Sequence, residues 1–134
     1  MKKKLNCILL IDDNNADNYF HQIVIKQMNI TEHIHVATDG VEALDYLTKE
    51  NQPAPDLIFL DINMPRMNGW EFLEKYKHLD PKQKSKTVIV MLTTSAHPSD
   101  LEKARHTAEV NGYQVKPLTE EMLKEILEKH FSDN

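Results

Sequence analysis

Short apolar runs recur along the chain at residues 7–11, 34–37, 57–60, 88–92 and 112–115, and the stretches between them carry helical periodicity. A run that is apolar at consecutive positions has no polar side to offer to water. It suits a strand covered on both faces, which in practice means a parallel sheet joined by right-handed helical crossovers. The run 34–37 is the weakest of the set, because it is short and carries His35, and an edge position explains it. The chain therefore predicts five strands alternating with five helices in an α/β fold. Asn68 is a good cap for the third helix, which should present Trp70, Leu73 and Tyr76 or Leu79. The fifth is expected to be capped by Thr119, with acids in its first turn and Met122, Leu123, Ile126 and Leu127 on its apolar face.

Composition narrows the class. At 134 residues, 40% hydrophobic and 28% charged, the chain suits one globular domain and does not resemble a disordered one. A formal charge of −5 argues against a nucleic-acid surface, which usually needs a basic domain. Met1-Lys2-Lys3-Lys4 is basic, but the apolar stretch after it is interrupted by Asn6 and stops at Asp12, too short for a signal peptide. No other run reaches membrane-spanning length, and no membrane insertion is expected. The lone Cys7 lies inside the first apolar run, where a thiol behaves as a small hydrophobe, and a cytoplasmic home is the simplest reading.

The chemistry lies at the carboxyl ends of the runs. In open parallel sheets ligands bind in the crevice beyond those ends. The run 57–60 ends in Asp61, followed by Ile62-Asn63-Met64-Pro65-Arg66-Met67-Asn68-Gly69, and the run 8–11 ends in Asp12-Asp13. If these strands are neighbours, their carboxylates meet. Like charges at a few ångströms raise one another's pKa, so a cation must join them, and an all-oxygen set without His or Cys suits Mg²⁺. The run 88–92 leads into Thr93-Thr94-Ser95, hydroxyls able to donate to an oxyanion, and the run 112–115 leads into Lys116-Pro117, an ammonium that acts as a point charge toward phosphate. Nucleophile, metal ligands, hydroxyl and cation together read as a phosphoryl-transfer site.

The order Asp-Asp, Asp-x-x-Met-Pro-x-Met-x-Gly, Leu-Thr-Thr and Lys-Pro resembles the receiver domain of two-component response regulators, from about Leu5 to about Phe131, and most resembles the stand-alone, CheY-like type. The resemblance implies a flavodoxin-like, doubly wound (βα)5 fold with strand order 2-1-3-4-5, forming one receiver domain over residues 1–134 with no output domain. It implies Asp61 as phosphoacceptor, Mg²⁺ held by Asp12, Asp13, Asp61 and the backbone carbonyl of Asn63, with Asp13 bound directly and Asp12 through water. Thr93 and Lys116 would engage the phosphoryl group, and Thr93 with Tyr113 would form the switch. Thr94 rivals Thr93, because the spacing to Lys116 is one residue longer than the family's, an extra residue placed in 107–111. Pro117 resembles the family's cis-proline. The implied partners are a sensor histidine kinase or histidine phosphotransfer protein and a downstream protein target, with no separate enzymatic output. Ser95 and Asn63 stand where similar proteins govern access of the hydrolytic water, and as neither is an acid, a long-lived phosphoryl group is expected.

Other readings stay open. The chain can be a phosphate shuttle in a relay instead of a terminal switch. A Mg²⁺-dependent phosphatase of the haloacid dehalogenase type is disfavoured, because it needs a second Asp where this chain has Asn63. A flavodoxin-like cofactor binder would want a hydroxyl- and glycine-rich loop where this chain has Asp12-Asp13-Asn14-Asn15.

Overall fold

The computed structural model describes residues 4–80, 87–94 and 97–131. Among these the chain alternates strand and helix throughout: β1 (Leu5–Ile11), α1 (Asn15–Met28), β2 (Thr31–Ala37), α2 (Gly40–Thr48), β3 (Leu57–Leu60), α3 (Gly69–Tyr76), β4 (Val88–Thr93), α4 (Pro98–Arg105), β5 (Gly112–Val115) and α5 (Glu120–Phe131). All the strands are parallel and lie in the order β2-β1-β3-β4-β5, the doubly wound order that the family resemblance implies.

Successive residues of the central strands feed opposite layers. Leu9, Ile11, Ile58, Leu60, Ile89 and Met91 pack with α2 and α3, through Ala43, Tyr46, Leu47, Phe72, Leu73 and Tyr76. Ile8, Leu10, Leu57, Phe59, Val90 and Leu92 pack with α1 and α5, through Val24, Ile25, Leu123, Ile126 and Leu127. That is why the runs carry no polar residue at alternate positions: both sheet faces are covered. Leu118 is buried in the second layer. Phe72 is fully buried in the first layer, where the sequence pattern had pointed to its neighbours Leu73 and Tyr76; Trp70 is only partly buried. Truncating Phe72 to Ala is expected to cost about 3–5 kcal/mol.

The edges differ from the centre as the sequence implied. β2 is an edge strand with a largely exposed pattern, and His35 lies flat on Tyr46, ring centroids 3.9 Å apart. The Tyr46 hydroxyl donates to the Pro53 carbonyl at 2.6 Å, tying the 52–55 loop to α2. Cys7 is buried and free, its Sγ 3.7 Å from that hydroxyl. Helix ends follow local chemistry. Asn68 and Glu71 form a reciprocal capping box at α3, and Thr119 Oγ1 accepts from the Met122 N–H at α5. The loop expected between α3 and β4 falls largely in residues 81–86, outside the described residues, as does Ser95.

Candidate functional site

The register brings the strand ends level. Ile11 pairs with Leu60, so Asp12 and Asp61 follow side by side, and the Asp61 N–H donates to the Ile11 carbonyl at 2.9 Å. Asp12 is tied in turn to β2, its N–H donating to the Ala37 carbonyl at 3.0 Å. Thr93 pairs with Val115, and the Lys116 N–H donates to the Thr93 carbonyl at 2.7 Å. Carboxylate oxygens of Asp12, Asp13 and Asp61 all lie within 4.8 Å of one another. Asp12 and Asp61 are buried, and Asp13 is exposed.

Lys116 enters this cluster from the far side of the sheet. Its Nζ lies 2.5 Å from Asp12 Oδ2 and 3.9 Å from Asp61 Oδ2, and its side chain is only 8% exposed. The Lys116-Pro117 peptide bond is cis, as in the family pattern. Burial alone would lower the lysine's pKa, but hydrogen bonds to Asp12 and Asp17 outweigh it and hold the ammonium charged. Asp61 is less well compensated: burial, then the negative charge of Asp12, push its pKa up to about 6 against the opposing pull of Lys116.

The turn after Asp61 is shaped by a close backbone approach. The Gly69 N–H donates to the Ile62 carbonyl at 2.8 Å, and a Cβ at Gly69 would come within 2.5 Å of the Asp61 carbonyl oxygen. Only glycine lets α3 start so near the strand end. Asn63 is exposed on this turn, while Met64 and Met67 pack against the core, consistent with packing as the ordinary role of methionine. Of the two candidate hydroxyls, Thr93 is buried at the end of β4 and Thr94 is exposed beyond it. Tyr113 is half-buried beside the α3 layer, and burial followed by the nearby Asp100 raises its pKa. Trp70 joins the same region, its Nε1–H donating to Asp100 at 3.2 Å and its ring 4.8 Å beneath the Lys103 ammonium.

Several residues that the sequence reading passed over complete the surroundings. Asp17 Oδ2 accepts from Lys116 Nζ at 2.8 Å. The buried Asn18 amide donates to the Asp12 carbonyl at 2.8 Å, while its Oδ1 has no partner. His21 is buried in the same α1 face, and burial lowers its pKa. A narrow cavity lined by Asp12, Asn18, His21, Phe59, Asp61 and Leu92 runs beneath the site. Asp39, at the end of β2, is paired with Arg66, whose Nη2 lies 2.6 Å from Asp39 Oδ2. The available signal for Asp17 and Asn18 was their place about one helical turn beyond Asp12-Asp13, on the helix that follows those acids.

Comparison with known proteins agrees with this geometry. The model of the response regulator receiver domain matches residues 8–128. A chemotaxis protein CheY homolog of Campylobacter jejuni is 37% identical over 123 residues, covering 90% of this chain and 88% of its own length. Response regulator Rcp1 of Synechocystis is 35% identical over 113 residues, 81% of this chain and 75% of that one. Among solved structures, a two-component response regulator from Cytophaga hutchinsonii superposes with a TM-score of 0.84 at 30% identity, covering 98% of this chain and 100% of the other. The Mn²⁺-bound form of Rcp1 gives 0.76 at 31% identity over 96% of both chains. The chain belongs to the response regulator receiver domain family and is thus a receiver of two-component signalling. Among the described residues no helix is long and apolar enough to cross a membrane.

Proposed function

We infer that this receiver is a phosphorylation-dependent switch whose phosphoacceptor is Asp61. The observation that carries the reading is the convergence of three aspartate carboxylates within 4.8 Å beside a buried lysine. The donor set fits a hard divalent cation. It is all oxygen, and Asp61, with a pKa raised to about 6, retains uncompensated charge that a cation would relieve. Asp12, Asp13 and Asp61, with the Asn63 carbonyl, would hold Mg²⁺, which when bound neutralises the charge of the phosphoryl oxygens.

The chain's own residues do the rest. An Asp61 carboxylate oxygen attacks the phosphorus of a phosphohistidine on a kinase or phosphotransfer protein. The new P–O bond forms as the P–N bond breaks, and the electron pair leaves with the imidazole, which takes up a proton. The protein contributes orientation and charge more than covalent machinery. The acyl phosphate places roughly two negative charges at the strand ends. Lys116 turns to one oxygen and the Thr93 hydroxyl donates to another, drawing the end of β4 toward the site. Tyr113, on the neighbouring strand, responds to the displacement, and the surface formed by α4, β5 and α5 changes for a downstream protein. The output is a binding change in the cytoplasm, with no separate enzymatic step.

Intact mass after incubation with Mg²⁺ and acetyl phosphate tests the reading, beside Asp61→Asn and a metal-free control. Gain of one phosphoryl group that needs both Asp61 and Mg²⁺ is the expected result. A gain that survives in Asp61→Asn refutes the assignment of the phosphoacceptor. Absence of both mass gain and beryllofluoride binding refutes the switch.

A further inference from the structure

Asp17 occupies the position in the first turn of α1 where an acid commonly reaches back to the N–H of the cap residue. Here the cap is Asn14, and its N–H already donates to Asp12 Oδ1 at 2.9 Å. The Asn14 side chain accepts from the Asp17 N–H at 2.9 Å, so half of a capping box is made and the other half is displaced. The freed Asp17 carboxylate turns instead to Lys116, with Oδ2 at 2.8 Å from Nζ. The same nitrogen is 3.9 Å from Asp61 Oδ2, beyond hydrogen-bond reach. In this state Lys116 is held by Asp12 and Asp17 and drawn aside from the acceptor.

We propose that Asp17 is a positioning residue that competes with the phosphoryl group on Asp61 for the Lys116 ammonium, and so limits how firmly the phosphorylated state is held. The inference rests on the receiver reading given above. With Asp12 engaged by a divalent cation, the first of the lysine's two ties would loosen, leaving Asp17 as the carboxylate that the phosphoryl oxygens must outbid. Asp17 also adds a negative charge close to the incoming anion, partly screened because its side chain is 33% exposed. Removing that charge therefore favours an anion at Asp61 and disfavours a cation among the aspartates. A purely structural role, an acid favouring the N-terminus of α1, would lower the melting temperature without moving the two affinities in opposite directions.

The test is calorimetric titration of the full chain, as wild type and as Asp17→Asn, which keeps the side-chain shape. Each protein is titrated with Mg²⁺ alone, then with beryllofluoride at saturating Mg²⁺. Asp17→Asn is expected to bind beryllofluoride about three- to tenfold more tightly and Mg²⁺ about two- to threefold more weakly. In a Lys116→Met background the gain in beryllofluoride affinity from Asp17→Asn should shrink to about twofold or less, because the contested ammonium is gone. Asp17→Ser serves as a second variant that also lacks the charge and is expected to show the same split. Wild-type binding with no gain in Asp17→Asn overturns the proposal, as does a gain undiminished in the Lys116→Met background. Failure of the wild type itself to bind beryllofluoride removes the receiver reading and this inference with it.

Discussion

Two carboxylates at strand ends, Asp39 and Asp61, are buried to a similar degree, each has a cationic side chain nearby, and their charges are handled in opposite ways. Asp39 caps α2, accepting from the Glu42 N–H at 2.9 Å, and binds the Arg66 guanidinium through both Nε and Nη2. Burial would raise its pKa, but the bond from the Glu42 N–H and the guanidinium outweigh it and hold the carboxyl below its ordinary value. Asp61 accepts less, sits beside Asp12, and has Lys116, the one cation near it among the described residues, at 3.9 Å and engaged elsewhere. Its pKa rises to about 6. A carboxylate with every lone pair answered is part of the scaffold, and one left short is poised for a ligand.

Asp61→Asn gives the largest test of that contrast. It should abolish the mass gain with acetyl phosphate while stabilising the metal-free protein by about 2 kcal/mol at neutral pH, because it removes a buried charge pressed against Asp12. Thermal unfolding in the presence of a chelator reads the second effect, and a melting temperature that falls would place Asp61 with Asp39 as a structural group.

Lys116→Ala separates charge from coupling. Phosphorylation by acetyl phosphate should persist, since Asp61 and the carboxylates proposed to hold Mg²⁺ remain, but the response of β5 should be lost. Hydrogen exchange of Gly112–Val115, compared with and without beryllofluoride, checks this, and protection that still changes in the variant would refute the role given to Lys116. Asp39→Ala should act on stability alone, costing about 1 kcal/mol, mainly through the lost cap because the Arg66 side chain is 59% exposed, with beryllofluoride affinity unchanged within about twofold. Denaturant unfolding measures the loss, and an affinity that moves with it would join the two regions functionally.

The sequence was most readable where local pattern and tertiary demand coincide. The covered strands β1, β3 and β4 announce themselves as apolar runs, and the residues proposed to carry the chemistry stand at strand ends, Asp12-Asp13, Asp61 and Thr93 at these three and Lys116 after β5. Asn68 and Thr119 were legible because a cap is a local bond. Asp17 and the pair Asp39 and Arg66 were not, because each owes its role to a partner distant in sequence. Asp17 meets Lys116 across 99 residues and Arg66 meets Asp39 across 27. Arg66 adopts a left-handed backbone at φ 62°, a conformation that nothing in Pro65-Arg66-Met67 advertises and that the pair with Asp39 helps to hold. Phe72 belongs to the same buried stripe as Gly69, Leu73 and Tyr76, at helical spacing, and was passed over because the large Trp70 drew the apolar face to the side of it.

The smallest effect lies in the acid limb of stability. A carboxyl whose folded pKa is depressed binds protons more readily in the unfolded chain, so stability is present above the ordinary carboxylate value and is lost as pH falls through the folded one. Asp39 meets that condition. Its contribution should be intact at neutral pH and decline below about pH 4, the ordinary carboxylate range. Asp39→Asn keeps the oxygen that caps α2 and removes only the ionisation, so its stability should fall less steeply with acid than that of the wild type. Parallel acid limbs in the two proteins would mean that Asp39 is held by its cap alone, and that the guanidinium of Arg66 serves the left-handed turn after Asp61 more than the charge it covers.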